Sequence, residues 1–358
     1  MDVLERWKNP DTWRRPGHIA LANVLSVHPD DVTHRALLDA GAKLVPVPLR
    51  DSQGAVSPEV ADADVVISGG ARLERDFFAA LRTPRLVLRP YVGYDDIDVD
   101  SASEFGILVA NVPDAFIEEV ANHASALILA TNRALLQTDR FVRDGTWAST
   151  RRRPENVVIR RPSVLTLGLI GFGNIARLVL ERMRPFGFRV VAHDPFISAE
   201  VAQAHGITLV TLDDLLRQSD VVSIHVFLSK QTRHLLNAEN LRYMKPTAWL
   251  INTSRGPVID EAALIDSLQH GRLAGAGLDV FEEEPLAVTS PLLTLENVIL
   301  TPHIASMSEE GGLQHRKRTA EIALQVALGG LPQRHAVINK HLFDEIAALP
   351  HLAGVPRA

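Results

Sequence analysis

One segment limits the fold more than any other. Val164 to Ile170 is an apolar run suited to a buried strand, and Gly171-Phe172-Gly173-Asn174-Ile175-Ala176 follows it with no linker. A GxGxxA order at a strand-to-helix turn is the dinucleotide fingerprint in its permitted alanine variant. Gly171 allows the tight turn. Gly173 lets the backbone approach a pyrophosphate, and Ala176 lets the helix pack on the strand. Asn174 and Ile175 open that helix, whose first N–H groups and positive dipole end suit phosphate oxygens. A second strand, Arg189 to Ala192, leads to Asp194, about 20 residues beyond Gly173, the spacing expected for the acid that binds the adenosine ribose. A carboxylate there accepts from a 2′-OH and repels a 2′-phosphate. No arginine follows in Pro195-Phe196-Ile197-Ser198, so NAD is expected over NADP.

The rest of the chain alternates in the same way. Ile19 to Val27, Leu44 to Val47, Val65 to Ser68, Leu86 to Leu88 and Ile107 to Ala110 read as buried strands, with amphipathic segments such as Val32 to Ala40 between them. Glu118 to Arg143 reads as one long helix closed by Asp144-Gly145, and Trp147 to Pro162 as a polar, arginine-rich surface connection. Alternation then resumes, with strands expected at 164–170, 188–192, 207–210, 221–226, 248–252, 275–280 and 297–301. Ser198 and Asp260 are placed to cap helices that Gly206 and Gly271 close. A last helix is expected over Glu309 to Leu328. Strand-helix alternation of this kind implies parallel sheets with helices on both faces. The 358 residues are enough for two such domains.

Composition narrows the function. The formal net charge is -6, so a nucleic-acid partner is not expected. The short run Arg151-Arg152-Arg153 reads as a solvated turn. There are no cysteines, which rules out thiolate nucleophiles and Cys-ligated zinc and fits a reducing compartment. No metal site is expected. The polar segment Met1 to Arg15 lacks the apolar core of a signal peptide, and no apolar run reaches the roughly 20 residues of a membrane span. The expectation is a cytoplasmic protein with no membrane partner.

Six further segments carry chemistry: His193-Asp194-Pro195, Asn252-Thr253-Ser254-Arg255-Gly256-Pro257-Val258-Ile259-Asp260-Glu261, Leu278-Asp279-Val280-Phe281-Glu282-Glu283-Glu284-Pro285, Thr301-Pro302-His303-Ile304, and, upstream, Val92-Gly93-Tyr94-Asp95-Asp96-Ile97-Asp98 and Asn111-Val112-Pro113. With the fingerprint, and in this order, they resemble the signatures of the D-isomer-specific 2-hydroxyacid dehydrogenases, the phosphoglycerate dehydrogenase-like enzymes. The resemblance runs from about residue 60 to 330.

The residue types suit that chemistry. Reduction of a 2-keto acid needs a cation for the carboxylate, a proton donor for the carbonyl oxygen, and a hydride delivered to one face. Arg255 lies just past a predicted strand, at the carboxyl edge where such sheets bind ligands. Its planar fork suits a carboxylate. His303 follows another strand end and can give or take a proton near neutral pH. The resemblance implies that Glu284 holds the other imidazole nitrogen, orienting the ring and raising its pKa. It also implies that His225 and Thr253 stand on the cofactor side, that Asp279 supports the site near the nicotinamide or the catalytic pair, and that the Val92-Gly93 backbone meets the substrate carboxylate. Arg89, on the same loop, either holds a second anionic group of a larger substrate or is an arginine of the fold with no substrate contact.

The implied architecture is α/β. A Rossmann NAD-binding domain, 118–306, is inserted into a flavodoxin-like substrate domain, 1–117 and 307–358, and the family pattern implies a homodimer. Three positions depart from the common pattern: Ala176 for a third glycine, Asn122 before His123 where an acid is usual, and Phe227 for a usual proline. None falls on Arg255, Glu284 or His303. The expected activity is NAD-dependent interconversion of a D-2-hydroxy acid and its 2-keto acid. An NAD(H)-sensing corepressor-like protein is the alternative, since Ile117-Glu118-Glu119-Val120-Ala121 is similar to that branch. Glu284 argues against the formate enzymes, whose pattern has glutamine there.

Overall fold

A computed structural model describes residues 4–8, 18–22, 32–152 and 157–352. The chain divides into two compact units, one made of Met1–Phe116 with Ser308–Ala358 and the other of Ile117–Met307.

The first unit holds a five-stranded sheet of β1 (His18–Ala22), β2 (Lys43–Pro46), β3 (Val65–Ser68), β4 (Leu86–Leu88) and β5 (Leu108–Ala110), in the order β2-β1-β3-β4-β5. Every pairing is parallel. This is the 2-1-3-4-5 order of flavodoxin-like sheets. β3, β4 and β5 are buried at every position, as strands covered on both faces must be. Leu37 of the helix Val32–Asp39, with Ala323 and Val326 of the helix Glu309–Ala327, packs into one core with Val65, Leu86 and Leu108. Phe77 and Phe78 anchor the core on the opposite face.

The C-terminal segment that the sequence left least defined closes the free edge of β5. Ala110 bridges Val337, Ile338 N–H donates to Val109 O, and the Asn339 side chain bonds Val109 N and Ile107 O. A helix, Lys340–Ala347, follows.

The second unit holds seven parallel strands: β6 (Thr166–Ile170), β7 (Arg189–His193), β8 (Thr208–Leu209), β9 (Val221–Ile224), β10 (Trp249–Asn252), β11 (Gly275–Leu278) and β12 (Val298–Leu300). Their order, β12-β11-β10-β9-β6-β7-β8, reverses direction between β6 and β9. In sheets of this kind ligands bind beyond the carboxyl ends of the strands at such a reversal. Ser198, Thr211 and Asp260 cap their helices with side-chain oxygens.

Three expectations need correction. The segment read as one helix to Arg143 is two, Ile117–Asn132 and Leu135–Arg143, because Ala134 takes a left-handed φ of 50°. No glycine or proline marks the break. The first helix buries Ala121, Ala124, Leu127 and Ile128 against the sheet, whereas the second buries nothing, so the chain turns once its contact with the core ends. The connection after it begins with a short helix, Thr146–Thr150. β6 starts at Thr166 instead of Val164, since Pro162–Val164 form a 3₁₀ turn. Part of the first predicted strand (23–27), much of the segment 1–15, and Arg153 of the arginine run lie outside the described residues.

Gly168, in the middle of β6, has no room for a side chain. A Cβ there would lie 2.3 Å from Ser219 Oγ and 2.7 Å from Leu215 Cδ2, at the C-terminal end of the helix Leu212–Gln218 and just beyond it. Gly168→Ala is therefore expected to lose about 1–3 kcal/mol, the usual scale of overpacking, in a denaturant titration. An unchanged midpoint would show that this helix shifts freely on the sheet.

Candidate active site

The fingerprint folds as its letters require. Gly171 has a φ of +86°, and a Cβ on it would stand 2.7 Å from the His225 carbonyl oxygen, so the turn after β6 admits only glycine where it meets the end of β9. Ala176, on the inner face of the helix Asn174–Met183, is fully buried. Gly173 differs. Its φ is an ordinary -78°, and a Cβ on it would meet no protein atom within 4 Å. Neither backbone nor packing demands glycine there, and the open space leaves room for a phosphate group to approach the backbone. Gly173 and Asn174 are exposed and Ile175 half-buried, which leaves the helix N-terminus open.

Asp194 follows β7 directly, and its carboxylate faces the same turn. Oδ2 accepts from Phe172 N–H at 2.8 Å and Oδ1 from Phe196 N–H at 2.8 Å. Pro195 is exposed beside it. His225, after β9, is held by burial at a pKa of about 4 and is neutral; its Nε2 lies 2.9 Å from Ser223 Oγ. Thr253, after β10, is buried, yet its Oγ1 has no hydrogen-bond partner among the described residues. A buried hydroxyl without a partner is costly in a finished core and suits a bound polar group. Gly173, Asp194 and Thr253 thus fit a dinucleotide.

Arg255, Glu284 and His303 lie in the segments that follow β10, β11 and β12. The fully buried Asn252 ties the β10 loop: its Oδ1 accepts from Ser254 N–H, and its Nδ2 donates to Arg255 O at 2.9 Å. Arg255, half-buried, then enters a 3₁₀ turn at Gly256. A Cβ on Gly256 would fall 1.7 Å from the Phe281 carbonyl oxygen, so the loop bearing Arg255 lies directly on the loop bearing Glu284. Glu284 Oε1 accepts from Phe281 N–H at 3.0 Å, and its Oε2 accepts from His303 Nδ1–H at 2.6 Å. That bond leaves Nε2 of His303 to exchange a proton.

The two partners move each other's titration. The hydrogen bond from Glu284 is the main cause that raises His303 above the ordinary imidazole value; partial burial and the charge of Arg255 oppose it. Burial pushes Glu284 up, but the His303 bond, the Phe281 N–H and the charges of His303 and Arg255 together bring it below the ordinary carboxyl value. His303 has a left-handed φ of 53°, a strained conformation for a residue other than glycine and one that collects at active sites.

Asp279 holds that conformation. It is fully buried; its carbonyl accepts from His303 N–H at 2.8 Å, and its carboxylate accepts from Thr301 Oγ1 (2.6 Å), Ile304 N–H and Ala305 N–H (both 2.9 Å). The structure therefore places Asp279 beneath the His303 loop, as its anchor. Behind it His123 Nε2 lies 3.0 Å from Thr301 Oγ1, and with the threonine proton on Asp279 the imidazole N–H is the donor. The motif pattern did not single out Thr301, Gly256 or Phe281 for these tasks.

In the first unit, Val92 and Gly93 are half-exposed, and Asn111 Nδ2 donates to Val92 O at 2.6 Å. For Arg89 two readings were open. It is 1% exposed and donates to Ser68 O, Ala71 O and Asp96 Oδ1. A guanidinium buried among these acceptors holds the fold of its own unit, so the structure favours that reading over a second substrate anion.

Residues 125–305 match the family model described as D-isomer specific 2-hydroxyacid dehydrogenase, NAD binding domain. Over 282 residues the chain is 39% identical to a glyoxylate reductase of Korarchaeum cryptofilum (strain OPF8), covering 78% of this chain and 85% of that protein. Among solved structures it is similar to a D-lactate dehydrogenase from Aquifex aeolicus complexed with NAD and lactic acid, with a TM-score of 0.76 and 30% identity, covering 87% of this chain and 96% of that one. It is also similar to an NADPH-dependent glyoxylate/hydroxypyruvate reductase from Sinorhizobium meliloti in complex with NADP and malonate (TM-score 0.78, 29% identity, 91% of this chain and 98% of that one). With a family match across half its length and a relative this similar along most of both chains, the protein belongs to the D-isomer specific 2-hydroxyacid dehydrogenases, which are NAD-binding oxidoreductases.

Proposed function

We propose that the protein reduces a small 2-keto acid to the D-2-hydroxy acid with NADH, and runs the reverse reaction with NAD, through Arg255, His303 and Glu284. The observation that carries this reading is the 2.6 Å bond between His303 Nδ1 and Glu284 Oε2 at the carboxyl edge of the NAD-binding sheet. Bound at Gly171, Gly173, Asn174, Ile175, Asp194, Pro195, His225 and Thr253, the nicotinamide cofactor supplies or accepts the hydride. Arg255 grips the substrate carboxylate and polarises the neighbouring carbonyl. The Val92 and Gly93 N–H groups add hydrogen bonds to the same carboxylate. His303 gives its Nε2 proton to the carbonyl oxygen as negative charge develops there, and Glu284 keeps the imidazole protonated up to a higher pH. Relatives named glyoxylate reductase make glyoxylate the first substrate to test. Assay of NADH oxidation against a panel of 2-keto acids decides between this enzyme and an NAD(H)-sensing protein, which would bind NADH without turnover.

We further propose a cytoplasmic homodimer. Its lack of cysteine fits a reducing compartment, and no described helix is long and apolar enough to cross a membrane. The helix Leu135–Arg143 buries none of its residues and exposes Leu135, Leu136 and Val142, with Trp147 and Val158 exposed after it. A second copy covering these side chains is the occupant we expect, and light scattering should give twice the chain mass.

Asp194 predicts the cofactor. NADH should give a much higher kcat/KM than NADPH. Asp194→Ala should narrow that ratio while weakening NADH, because the carboxylate also holds the Phe172 N–H. Equal kcat/KM for both cofactors in the unmodified protein would overturn the assignment.

The His303–Glu284 pair predicts the pH dependence. His303 must be protonated for reduction, and its pKa is raised, so reduction should persist above the ordinary value near ~6.5 and fall as pH rises through the raised value. Oxidation should follow the opposite trend. His303→Ala should lower kcat by roughly 10²- to 10⁴-fold. Glu284→Gln keeps a hydrogen-bond acceptor but loses the charge, so the reduction profile should move to lower pH with a smaller loss of rate. The two losses should not add. A profile that stays in place in Glu284→Gln would remove the pair from the mechanism.

A further inference from the structure

A second histidine–carboxylate pair stands beside the first, outside the reacting atoms. His234 Nε2 lies 2.6 Å from Glu282 Oε1, and Arg233 reaches the same oxygen at 3.8 Å. His234 has a left-handed φ of 48°. Histidine tolerates that region better than most residues, but the surroundings must still hold it there. They do so through the segment that follows Arg255. His234 N–H donates to Pro257 O at 2.8 Å, Leu236 N–H to Val258 O at 3.1 Å, and Asp260 N–H to Leu236 O at 2.8 Å, with Leu236 and Ile259 bridged.

Glu282 is where three segments meet. Its N–H donates to Glu261 Oε2 at 2.9 Å, and Glu261 N–H donates to Glu282 Oε2 at 3.3 Å. This reciprocal clasp brings two carboxylates together. The donors that offset their repulsion are the His234 ring and Arg233. Glu282 is also two residues from Glu284, in the loop that lies on Gly256. The His234–Glu282 contact thus joins the segment after Arg255 to the segment that presents Glu284 to His303.

We propose that His234 is a positioning residue: through Glu282 and the Pro257 carbonyl it fixes the loops of Arg255 and Glu284 relative to each other. The inference rests on the proposed roles of Arg255, Glu284 and His303. The His234 and Glu282 side chains are 39% and 27% exposed, and partly exposed ion pairs contribute little to global stability. A misplacement of about 1 Å at a reacting group can still lower the rate by up to about 10²-fold. The contact therefore matters for geometry more than for folding.

The test uses His234→Ala, His234→Asn and Glu282→Gln in the full-length protein. The readouts are the pH profile of glyoxylate reduction with NADH, the melting temperature, and the NMR titration of the His303 ring assigned with His303→Ala. His303 is faced by Glu284, Arg255 and Asp279, so its titration reports whether Glu284 has moved. In His234→Ala and Glu282→Gln we expect kcat/KM to fall about tenfold to a hundredfold, the His303 titration to drop toward its ordinary value, and the melting temperature to change little. Asparagine accepts the left-handed backbone but is too short to bridge, so His234→Asn should behave like His234→Ala. If His234→Asn keeps the unmodified titration, backbone geometry suffices and the side-chain strut is refuted. An unchanged His303 titration with full activity in all three variants refutes the proposal and leaves the enzymatic reading standing. If the unmodified protein reduces no keto acid, that reading fails, and the NMR titration still decides whether His234 holds Glu284 against His303.

Discussion

A buried carboxylate, that of Asp279, organises the loop after β12 in the second unit. Asp279 has no solvent exposure, and burying a charge costs several kcal/mol unless hydrogen bonds compensate. Here the donors are Thr301 Oγ1 and the N–H groups of Ile304 and Ala305. To supply them, the chain after β12 must wrap around the carboxylate, and wrapping it forces His303 to a φ of 53°. The strain at His303 and the desolvation of Asp279 are thus two sides of one arrangement. The negative charge of Asp279 also adds to the upward shift of the His303 pKa, behind the direct contribution of Glu284.

Close backbone approach does the same work between β10 and β11. Glycine at 256 lets the Arg255 loop touch the Phe281 carbonyl, and Phe281 N–H then holds Glu284. Arg255 and Glu284 come from different strands, yet their separation is set by main-chain contact, which side-chain motion does not relax. Asn252, fully buried, ties the Arg255 end of this assembly with hydrogen bonds of its own. Arg255, His303 and Glu284 are therefore held by backbone and buried polar groups, the arrangement the proposed site needs if hydride and proton are to move in fixed geometry.

Much of this was legible in the sequence, for physical reasons. Strands buried on both faces read as apolar runs, so β3, β4 and β9 stood out. The Gly171 turn, the helix caps at Ser198 and Asp260, and Asp194 at the end of β7 each need one residue type at one position. Less legible were features decided by tertiary contact. Ala134 breaks a helix with no breaker in the letters, because the core it packs on runs out. Arg89 carries the same letter whether it meets a ligand or, as here, Asp96 inside the fold. Asp279 sits in a recognisable motif, but only its burial shows that it anchors a loop. His234 bonds a carboxylate 48 positions away in the chain, and no local spacing announces that pair.

Cofactor choice illustrates why one residue can be hard to reassign. In the proposed cofactor site the charge of Asp194 would repel a 2′-phosphate. Its two oxygens also accept the N–H groups of Phe172 and Phe196, so the same carboxylate holds the fingerprint turn and the segment after β7. Phe172 lies between the two glycines of the fingerprint turn and is itself fully buried. Removing the charge therefore releases a turn whose glycine at 171 is already packed against the His225 carbonyl. A neutral residue that can still accept both N–H groups would separate the two effects, since it keeps the turn while lifting the repulsion. On the proposed assignment, specificity and loop geometry are coupled, because a charge near a helix N-terminus is most stable where it also satisfies backbone donors, and Asp194 would serve both ends.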